Sequence, residues 1–181
     1  MYAFLLDTVR AAVRDINGRL VTVADWRAYR GRWDDLRRAA VRLARDLFGV
    51  AIVVFVVRTI AEIVFFVFSL YLSGIKTYKF DALRISVYSV NAVFSVSWMF
   101  EIIRKTKNCK LELQRTQKVL NSISINLNSH DKQIKYAYLY MLHADLNFMP
   151  CNIFEMNYRS LKSIITLIAA FLIFQIQMKL T

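Results

Sequence analysis

Residues 148–181, which read FMPCNIFEMNYRSLKSIITLIAAFLIFQIQMKLT, decide the fold of this chain. A polar and basic approach leads into an apolar segment over residues 164–176. An apolar segment of this kind crosses a bilayer as a helix, since only a helix or a closed barrel satisfies its backbone in lipid. Gln175 and Gln177 make the C-terminal end of this segment more polar than a simple membrane anchor requires. Glutamines at that depth either hydrogen-bond to neighbouring helices or face a water-filled space.

The composition of the whole chain also indicates a membrane protein. Its 181 residues are 57% hydrophobic, concentrated in blocks, and the net charge is +12. Such a charge suits an anionic partner or the cytoplasmic loops of a membrane protein. No nucleic-acid-binding motif accompanies it, so we expect no nucleic-acid partner. Cys109 and Cys151 form neither a disulfide framework nor a metal spacing, and we predict that both are free thiols.

Two further segments are predicted to span the membrane. Residues 47–73 form an apolar run long enough for a tilted helix, and residues 85–103 form a more polar span. Arg58 and Glu62 lie on one helical face of the first span, where they neutralise each other and face protein or water rather than lipid. The pair is compatible with a structural role and with a role at a ligand site or gate. The serines of the second span either join helices or line a wet cavity; they are Ser86, Ser89, Ser95 and Ser97.

The first 46 residues are predicted to form cytosolic helices. The first helix presents one apolar face and ends near Gly18. A connection that includes Trp26 follows, and a second helix begins near Asp34 or Asp35, whose carboxylates suit a helix N-terminus. The apolar stripe of the second helix consists of Leu36, Ala40, Leu43 and Leu47. Its opposite face carries arginines at Arg38, Arg42 and Arg45.

Residues 104–163 are predicted to form a cytosolic helical anchor region. Leucines recur every seven residues, at Leu113, Leu120 and Leu127, which is typical of a helix that packs on another helix. A shorter helix follows and carries His143. Neither His143 nor His130 has other ligand types near it in the sequence, so no metal site is predicted.

The distribution of positive charge orients the chain. Residues 10–45 contain ten arginines and residues 104–162 are rich in lysine and arginine, whereas the connection over residues 74–84 carries three positive charges. Because basic segments stay in the cytoplasm, the connection and the C-terminus are predicted to be extracellular. The predicted fold is an all-α polytopic membrane protein with long cytosolic helical extensions, and residues 164–179 are its last span.

The C-terminal residues carry a family resemblance. They contain the order MLH at 141–143, FMPCNIF at 148–154, SL at 160–161 and AFLIFQIQM at 170–178. This order resembles the C-terminal motif of insect gustatory receptors, a seven-transmembrane chemoreceptor family, which reads LLH, F-x-A-C-G-x-F, S-L-L and T-Y-h-h-h-h-h-Q-F with h apolar. Gln177 falls on the motif glutamine. The other motif positions are Phe148, Cys151, Phe154, Ser160, Leu161 and Phe171. Departures from the motif occur at Pro150, Asn152, Ala170, Gln175 and Met178.

The resemblance implies a subunit of a tastant-gated cation channel in the plasma membrane, with its C-terminus extracellular. Four subunits, identical or mixed, would surround one pore formed by their last helices. The chain would match the last three spans of such a receptor and the end of the fourth helix, and so lack the first spans. Its small-molecule tastant would need a complete pocket. The pore-lining candidates are Gln177, Ile173 and Ile176, although Gln177 also suits an interhelical hydrogen bond.

Other function classes are less well supported. An enzyme is not predicted, because no nucleophile and base, metal spacing, phosphate loop or cofactor motif is present. The alternative is a small three-span membrane scaffold or accessory subunit that acts through its cytosolic helices. Either function requires membrane lipid as a partner.

Overall fold

The computed structural model describes residues 1–74, 82–126, 132–144 and 146–180. These residues form six α-helices and no strand, which confirms the predicted all-α fold. The helices are α1 (Tyr2–Arg19), α2 (Val23–Arg42), α3 (Gly49–Gly74), α4 (Ala82–Asn126), α5 (Lys132–His143) and α6 (Tyr158–Leu180). A π turn over Leu43–Leu47 joins α2 to α3, and a 3₁₀ turn over Pro150–Asn152 precedes α6.

Helix α2 begins at Val23, so the predicted start near Asp34 or Asp35 is wrong. The reason is a capping box: the Thr22 hydroxyl accepts a hydrogen bond from the Asp25 backbone N–H at 3.3 Å, and the Asp25 carboxylate accepts one from the Thr22 N–H at 2.7 Å. Trp26 therefore lies inside the helix and is buried, rather than in a connection.

The π turn shifts the phase of the chain between α2 and α3. The Phe48 N–H donates to the Leu43 carbonyl oxygen five residues earlier, at 3.0 Å. Because this turn holds one residue more than an α-helical turn, side chains beyond it are rotated relative to the α2 stripe. Ala40 and Ala44 are fully buried, whereas Leu47 is 68% exposed. The predicted apolar stripe is therefore wrong at Leu47.

A packed core lies between α1 and α4. Helix α1 buries one apolar face, made of Leu6, Val9, Val13 and Ile16. Helix α4 buries the predicted heptad leucines Leu113 and Leu120, while Leu127 lies outside the described residues. Trp33 of α2 covers this seam, and its indole Nε1–H donates to the Thr116 hydroxyl at 3.1 Å. These contacts bind the first two helices to the long helix α4.

Two helices of the described residues are long and apolar enough to cross a membrane: Gly49–Tyr71, with a mean hydropathy of 2.6, and Ser86–Ile123, with 1.3. Helix α4 has 45 residues and runs for about 68 Å. Because the hydrocarbon core of a bilayer is about 30 Å thick, more than half of α4 extends beyond it. The predicted last span, residues 164–179, lies within α6.

Candidate functional site

A compact turn over residues 148–156 holds the start of α6 against the rest of the chain. Phe148 is buried, and its carbonyl oxygen accepts a hydrogen bond from the Met156 N–H at 2.9 Å. The Tyr2 hydroxyl donates to the Met156 sulfur at 3.7 Å and lies 3.2 Å from the Thr106 hydroxyl. Burial raises the pKa of Tyr2 to about 12. We call this segment, residues 148–156, the anchor turn.

The anchor turn lies directly on the backbone at the start of α3. A β-carbon at Gly49 would lie 2.8 Å from the backbone nitrogen of Cys151 and 3.3 Å from the carbonyl oxygen of Ala44. Contacts this short are not available to a residue with a side chain. Cys151 and Asn152 reach this position with positive φ angles of 49° and 58°. Glycine at position 49 therefore permits the contact that joins α3 to the anchor turn.

The N-terminus of α6 is capped and tied to α4. The Asn157 side-chain oxygen accepts a hydrogen bond from the Ser160 backbone N–H at 2.8 Å. The Asn157 amide also donates to the Glu155 carboxylate, which pairs with Lys110 Nζ of α4 at 2.8 Å. The direction in which α6 leaves the anchor turn is therefore set by both a cap and an ion pair.

A small apolar cavity lies where α3, α4 and α6 meet. Phe154, Ser160 and Leu161 line it from the anchor turn and α6, and Ile52 and Ile102 face them. Its volume is about 20 Å³. A cavity of this size holds about one water molecule. It is therefore too small to be a tastant pocket.

Beyond its first turns, α6 is exposed over most of its circumference, and its docked side is covered. Leu161 and Ile168 are buried on the docked side of the helix. The residues on the opposite side are exposed, namely Thr166, Ala170, Ile173 and Gln177. The predicted pore-lining candidates Ile173 and Gln177 thus share one face of the helix. Ile176 lies on the same helix, and its side chain is outside the described residues.

The two charged residues of α3 form a three-membered cluster with Ser95 of α4. Arg58 Nε donates to Glu62 Oε1 at 2.8 Å, and the Ser95 hydroxyl of α4 donates to Glu62 Oε2 at 2.7 Å. The side chain of Glu62 is 16% exposed, whereas that of Arg58 is 70% exposed. Ser95 thus joins two helices, while the Ser97 hydroxyl bonds the Val93 carbonyl of its own helix. The cluster fixes α3 against α4 and leaves the guanidinium on the outer surface.

A second cluster joins α2 to α5. Asp34 accepts hydrogen bonds from Arg37 at 2.9 Å, from Arg38, and from the Tyr140 hydroxyl at 3.0 Å. Burial alone would raise the pKa of Asp34, but the hydrogen bonds from Arg38, Arg37 and Tyr140 together hold that pKa below its usual value. Arg30 lies 5.5 Å above the Tyr140 ring. Asp34 therefore holds α2 and α5 together instead of starting a helix.

Comparison with known proteins places the chain in a family. Its sequence matches the 7tm chemosensory receptor family over residues 2–181. The chain belongs to the 7tm chemosensory receptor family. No curated protein matches it. Membership and the two apolar helices identify a membrane protein of the receptor class, and this family is not a family of enzymes.

The structure of this chemosensory receptor chain brings most of the motif positions together. Phe148, Phe154, Ser160 and Leu161 all lie in or beside the anchor turn. Cys151 contributes its backbone to the contact with α3 and its side chain is exposed. Phe171 lies apart from them, farther along α6, and is 47% exposed. Most motif residues of this chain therefore contribute to the anchoring of α6.

The departure at Asn152 in this receptor has a physical reason. Asn152 occupies the position of the motif glycine, and its φ of 58° lies in the left-handed region that glycine adopts freely. Asparagine is one of the few other residues that enter this region routinely, since its short side chain bonds locally. The substitution therefore preserves the geometry of the anchor turn.

Several residues that no sequence pattern singled out hold α1 and α2 against α4. They are polar or amphipathic residues buried on helical faces, namely Tyr2, Asn17, Trp33, Thr106 and Glu112. The Asn17 amide donates to Glu112 Oε1 at 3.1 Å, which links α1 to α4. The start of α2, which was also not predicted, had a local sequence signal in the T-x-x-D capping box at Thr22. The other pairs join helices far apart in the chain.

The part of the receptor that the structure describes contains no cluster of potential metal ligands. Within those ranges, no group of three His, Cys, Asp or Glu side chains is placed to hold an ion. His143 is exposed at the end of α5, and His130 lies outside the described residues.

Proposed function

We propose that this receptor chain is a gustatory-receptor-type subunit of a tastant-gated cation channel. Four copies, identical or mixed with other receptor subunits, would place their α6 helices around one pore. Gln177 would line that pore, and Ile173 would form part of an apolar constriction that closes it by dewetting. The ligand would be a small-molecule tastant.

The arrangement of α6 is the observation that supports this proposal. One side of the helix is docked through Leu161 and Ile168, while Ile173 and Gln177 lie on the exposed opposite side. A simple lipid anchor has no need for a glutamine on that side, because a polar side chain facing hydrocarbon is costly. Ile173 and Gln177 are better suited to a surface that contacts water and the α6 helices of other subunits.

The proposed orientation places residues 1–46 and 104–163 in the cytoplasm and the C-terminus outside the plasma membrane. The arginines of the first region and the lysines and arginines of the second favour this orientation. An epitope after Thr181 should be labelled by antibody on intact cells, and one before Met1 only after permeabilisation. Labelling of the N-terminal epitope alone on intact cells would reverse the proposed orientation.

Electrophysiology tests the channel directly. The chain is expressed alone and together with other receptor subunits, and cation currents are recorded over a tastant panel. Gln177→Glu should increase the permeability to divalent cations, because it places a carboxylate in the pore, and Gln177→Leu should reduce conductance. Ile168→Val is the matched control, since Ile168 lies on the docked side, about 180° around α6 from Gln177.

Three results would contradict the proposal. Unchanged selectivity and conductance in both Gln177 variants would remove this residue from the pore. An equal change in Ile168→Val would show that α6 packing, not the pore face, controls the current. Surface-expressed chain that conducts neither alone nor in combination would favour the scaffold or accessory subunit instead.

A further inference from the structure

Tyr158, in the first turn of α6, contacts an aromatic ring and a positive charge of α4. The Tyr158 ring lies 6.3 Å from the Phe100 ring, and Lys107 Nζ lies 5.2 Å from the Tyr158 ring centroid. Phe100 and Lys107 are two helical turns apart on α4, about 10 Å along its axis. The first turn of α6 therefore lies beside α4 at the level where both helices meet the proposed cytosolic boundary.

The exposed face of this first turn is basic. Tyr158, Arg159 and Lys162 are all exposed. At about 100° per residue, the three positions occupy one sector of the helix about 100° wide. Leu161 is buried on the other side. Arg159 and Lys162 thus lie on the same side of the tyrosine that Lys107 contacts.

Ion pairs account for the other cations near this sector but not for these three. Arg104 pairs with Glu101 at 2.8 Å, and Lys110 pairs with Glu155 at 2.8 Å. Lys105 pairs with Asp7. No ion pair is present for Lys107, Arg159 or Lys162 within the ranges that the structure describes. These three cations therefore have no carboxylate partner among the residues that the structure describes.

Apolar side chains adjoin the basic sector on the side of the proposed membrane. Phe100 is 43% exposed and contacts Tyr158, and Ile165, seven residues after Tyr158 on the same side of α6, is 49% exposed. Cations toward the cytoplasm and apolar groups toward the bilayer match the two ends of a phospholipid. A soluble phosphate would use only the cationic half of this surface.

We infer that Phe100, Lys107, Tyr158, Arg159 and Lys162 form a binding site for the headgroup of an anionic phospholipid of the inner leaflet. The inference rests on the orientation given in the proposed function. A phosphoinositide with several phosphates fits best, because it presents several charged oxygens to cations that are strong phosphate donors. We call these five residues the headgroup site.

Lipid binding to the purified full chain tests the headgroup site without any need for current or tastant. The chain is placed in phosphatidylcholine nanodiscs, and binding of added phosphatidylinositol 4,5-bisphosphate is measured by native mass spectrometry. The triple variant K107Q/R159Q/K162Q should bind about a hundredfold more weakly, from the contribution of each cation near a membrane surface. Soluble inositol trisphosphate should bind far more weakly than the lipid.

A matched control separates the site from net charge. The variant R14Q/R32Q/K118Q removes the same charge from exposed positions on the cytosolic helices, and it should bind the lipid like the unaltered chain. A photoactivatable phosphoinositide added to the unaltered chain should label peptides that contain residues 100–107 or 158–165. This labelling needs no variant and so does not depend on variant folding.

Several outcomes would overturn the inference. Equal loss of binding in the two triple variants would reduce the effect to net charge, and labelling confined to other peptides would place the lipid elsewhere. Inositol trisphosphate binding as tightly as the lipid would assign the site to a soluble phosphate. Loss of tastant currents with lipid binding intact would contradict only the proposed function, so the two failures are distinguishable.

Discussion

Gly49 is the residue through which α3 contacts the anchor turn. The approach of the Cys151 backbone leaves no room for a side chain there. Cys151 and Asn152 complete the contact with positive φ angles, a conformation that costs most residues about 1–2 kcal/mol. A single position without a side chain thus sets the relation between the first apolar helix and α6.

Gly49→Ala should destabilise the receptor by about 1–3 kcal/mol, because the new methyl group would overlap the Cys151 backbone. The midpoint of thermal unfolding in nanodiscs measures this effect. Gly31→Ala is the control: Gly31 lies within α2 with open space around it, so alanine should stabilise by about 0.5–1 kcal/mol. The same sign of effect at both positions would contradict the close contact at Gly49.

Helix α2 depends on charges at two points along its length. At its start, backbone and side-chain hydrogen bonds from Thr22, and a backbone bond from Val21, lower the pKa of Asp25. Near its middle, Asp34 joins α2 to Tyr140 of α5. Both carboxyl groups have depressed pKa values, so both stabilise the fold in the ionised form.

Stability of α2 and its contact with α5 should therefore fall in acid. A carboxyl group with a lowered folded pKa contributes fully above its unfolded pKa, near 4, and the contribution is lost as the pH falls through the folded pKa. Asp34→Asn should cost about 2 kcal/mol at neutral pH, since it removes the charge that accepts hydrogen bonds from Arg37, Arg38 and Tyr140, and should flatten the acid dependence. Unfolding midpoints measured between neutral and acid pH test this.

The exposed neighbour provides the control for that measurement. Asp35→Asn changes the same charge on the same helix and should alter neither the midpoint at neutral pH nor its slope by much. Parallel pH curves for Asp34→Asn and the unaltered chain would show that Asp34 does not contribute to the acid dependence.

The two charged residues of α3, Arg58 and Glu62, pair with each other, and Glu62 also bonds Ser95 of α4. Arg58→Leu or Glu62→Leu alone leaves one charge without its partner, and each should destabilise the inserted helix by about 2.5–3.5 kcal/mol. The double variant removes both charges, and its loss should be about 1–3 kcal/mol smaller than the sum of the two single losses. Thermal midpoints of the three variants in nanodiscs give the cycle. Additive losses would show that the pair is not coupled.

At the scale of the whole molecule, α6 stands apart from the other helices beyond its docked first turns. Ile173 and Phe174 are both more than half exposed, while Ile168 is buried. Lipid covers apolar side chains as well as protein does, so exposure alone does not require a partner. The exposed side opposite Ile168 also carries two polar residues, Gln177 and Thr166, and the Thr166 hydroxyl bonds the Lys162 carbonyl of its own helix at 2.9 Å.

If four α6 helices surround a pore, Ile173→Cys in neighbouring subunits should form disulfide-linked dimers under mild oxidation. The measurement is non-reducing electrophoresis of membranes, in a Cys151→Ser background because Cys151 is exposed. Ile168→Cys, on the docked side of the same helix, should remain monomeric. Equal cross-linking at both positions, or at neither, would contradict an α6-lined axis.

The sequence by itself determined the features that depend on near neighbours in the chain. Apolar runs predicted the helices now described as α3 and the first part of α4, because burial of backbone polar groups in lipid leaves a helix as the solution. The spacing of Arg58 and Glu62 predicted one shared face, since residues four apart are neighbours on any helix. The start of α2 was also encoded locally, in its capping box, although the acidic residues at 34 and 35 obscured it.

Only the tertiary structure decided which distant residues meet. Gly49 against Cys151, Asp34 with Tyr140, and Phe100 and Lys107 around Tyr158 each join helices separated by long stretches of chain. No periodicity encodes such pairs, because the relative positions of helices follow from how all their side chains pack together. The anchor turn and the headgroup site exist for that reason, and the C-terminal stretch acquires its docked and exposed sides from the same packing.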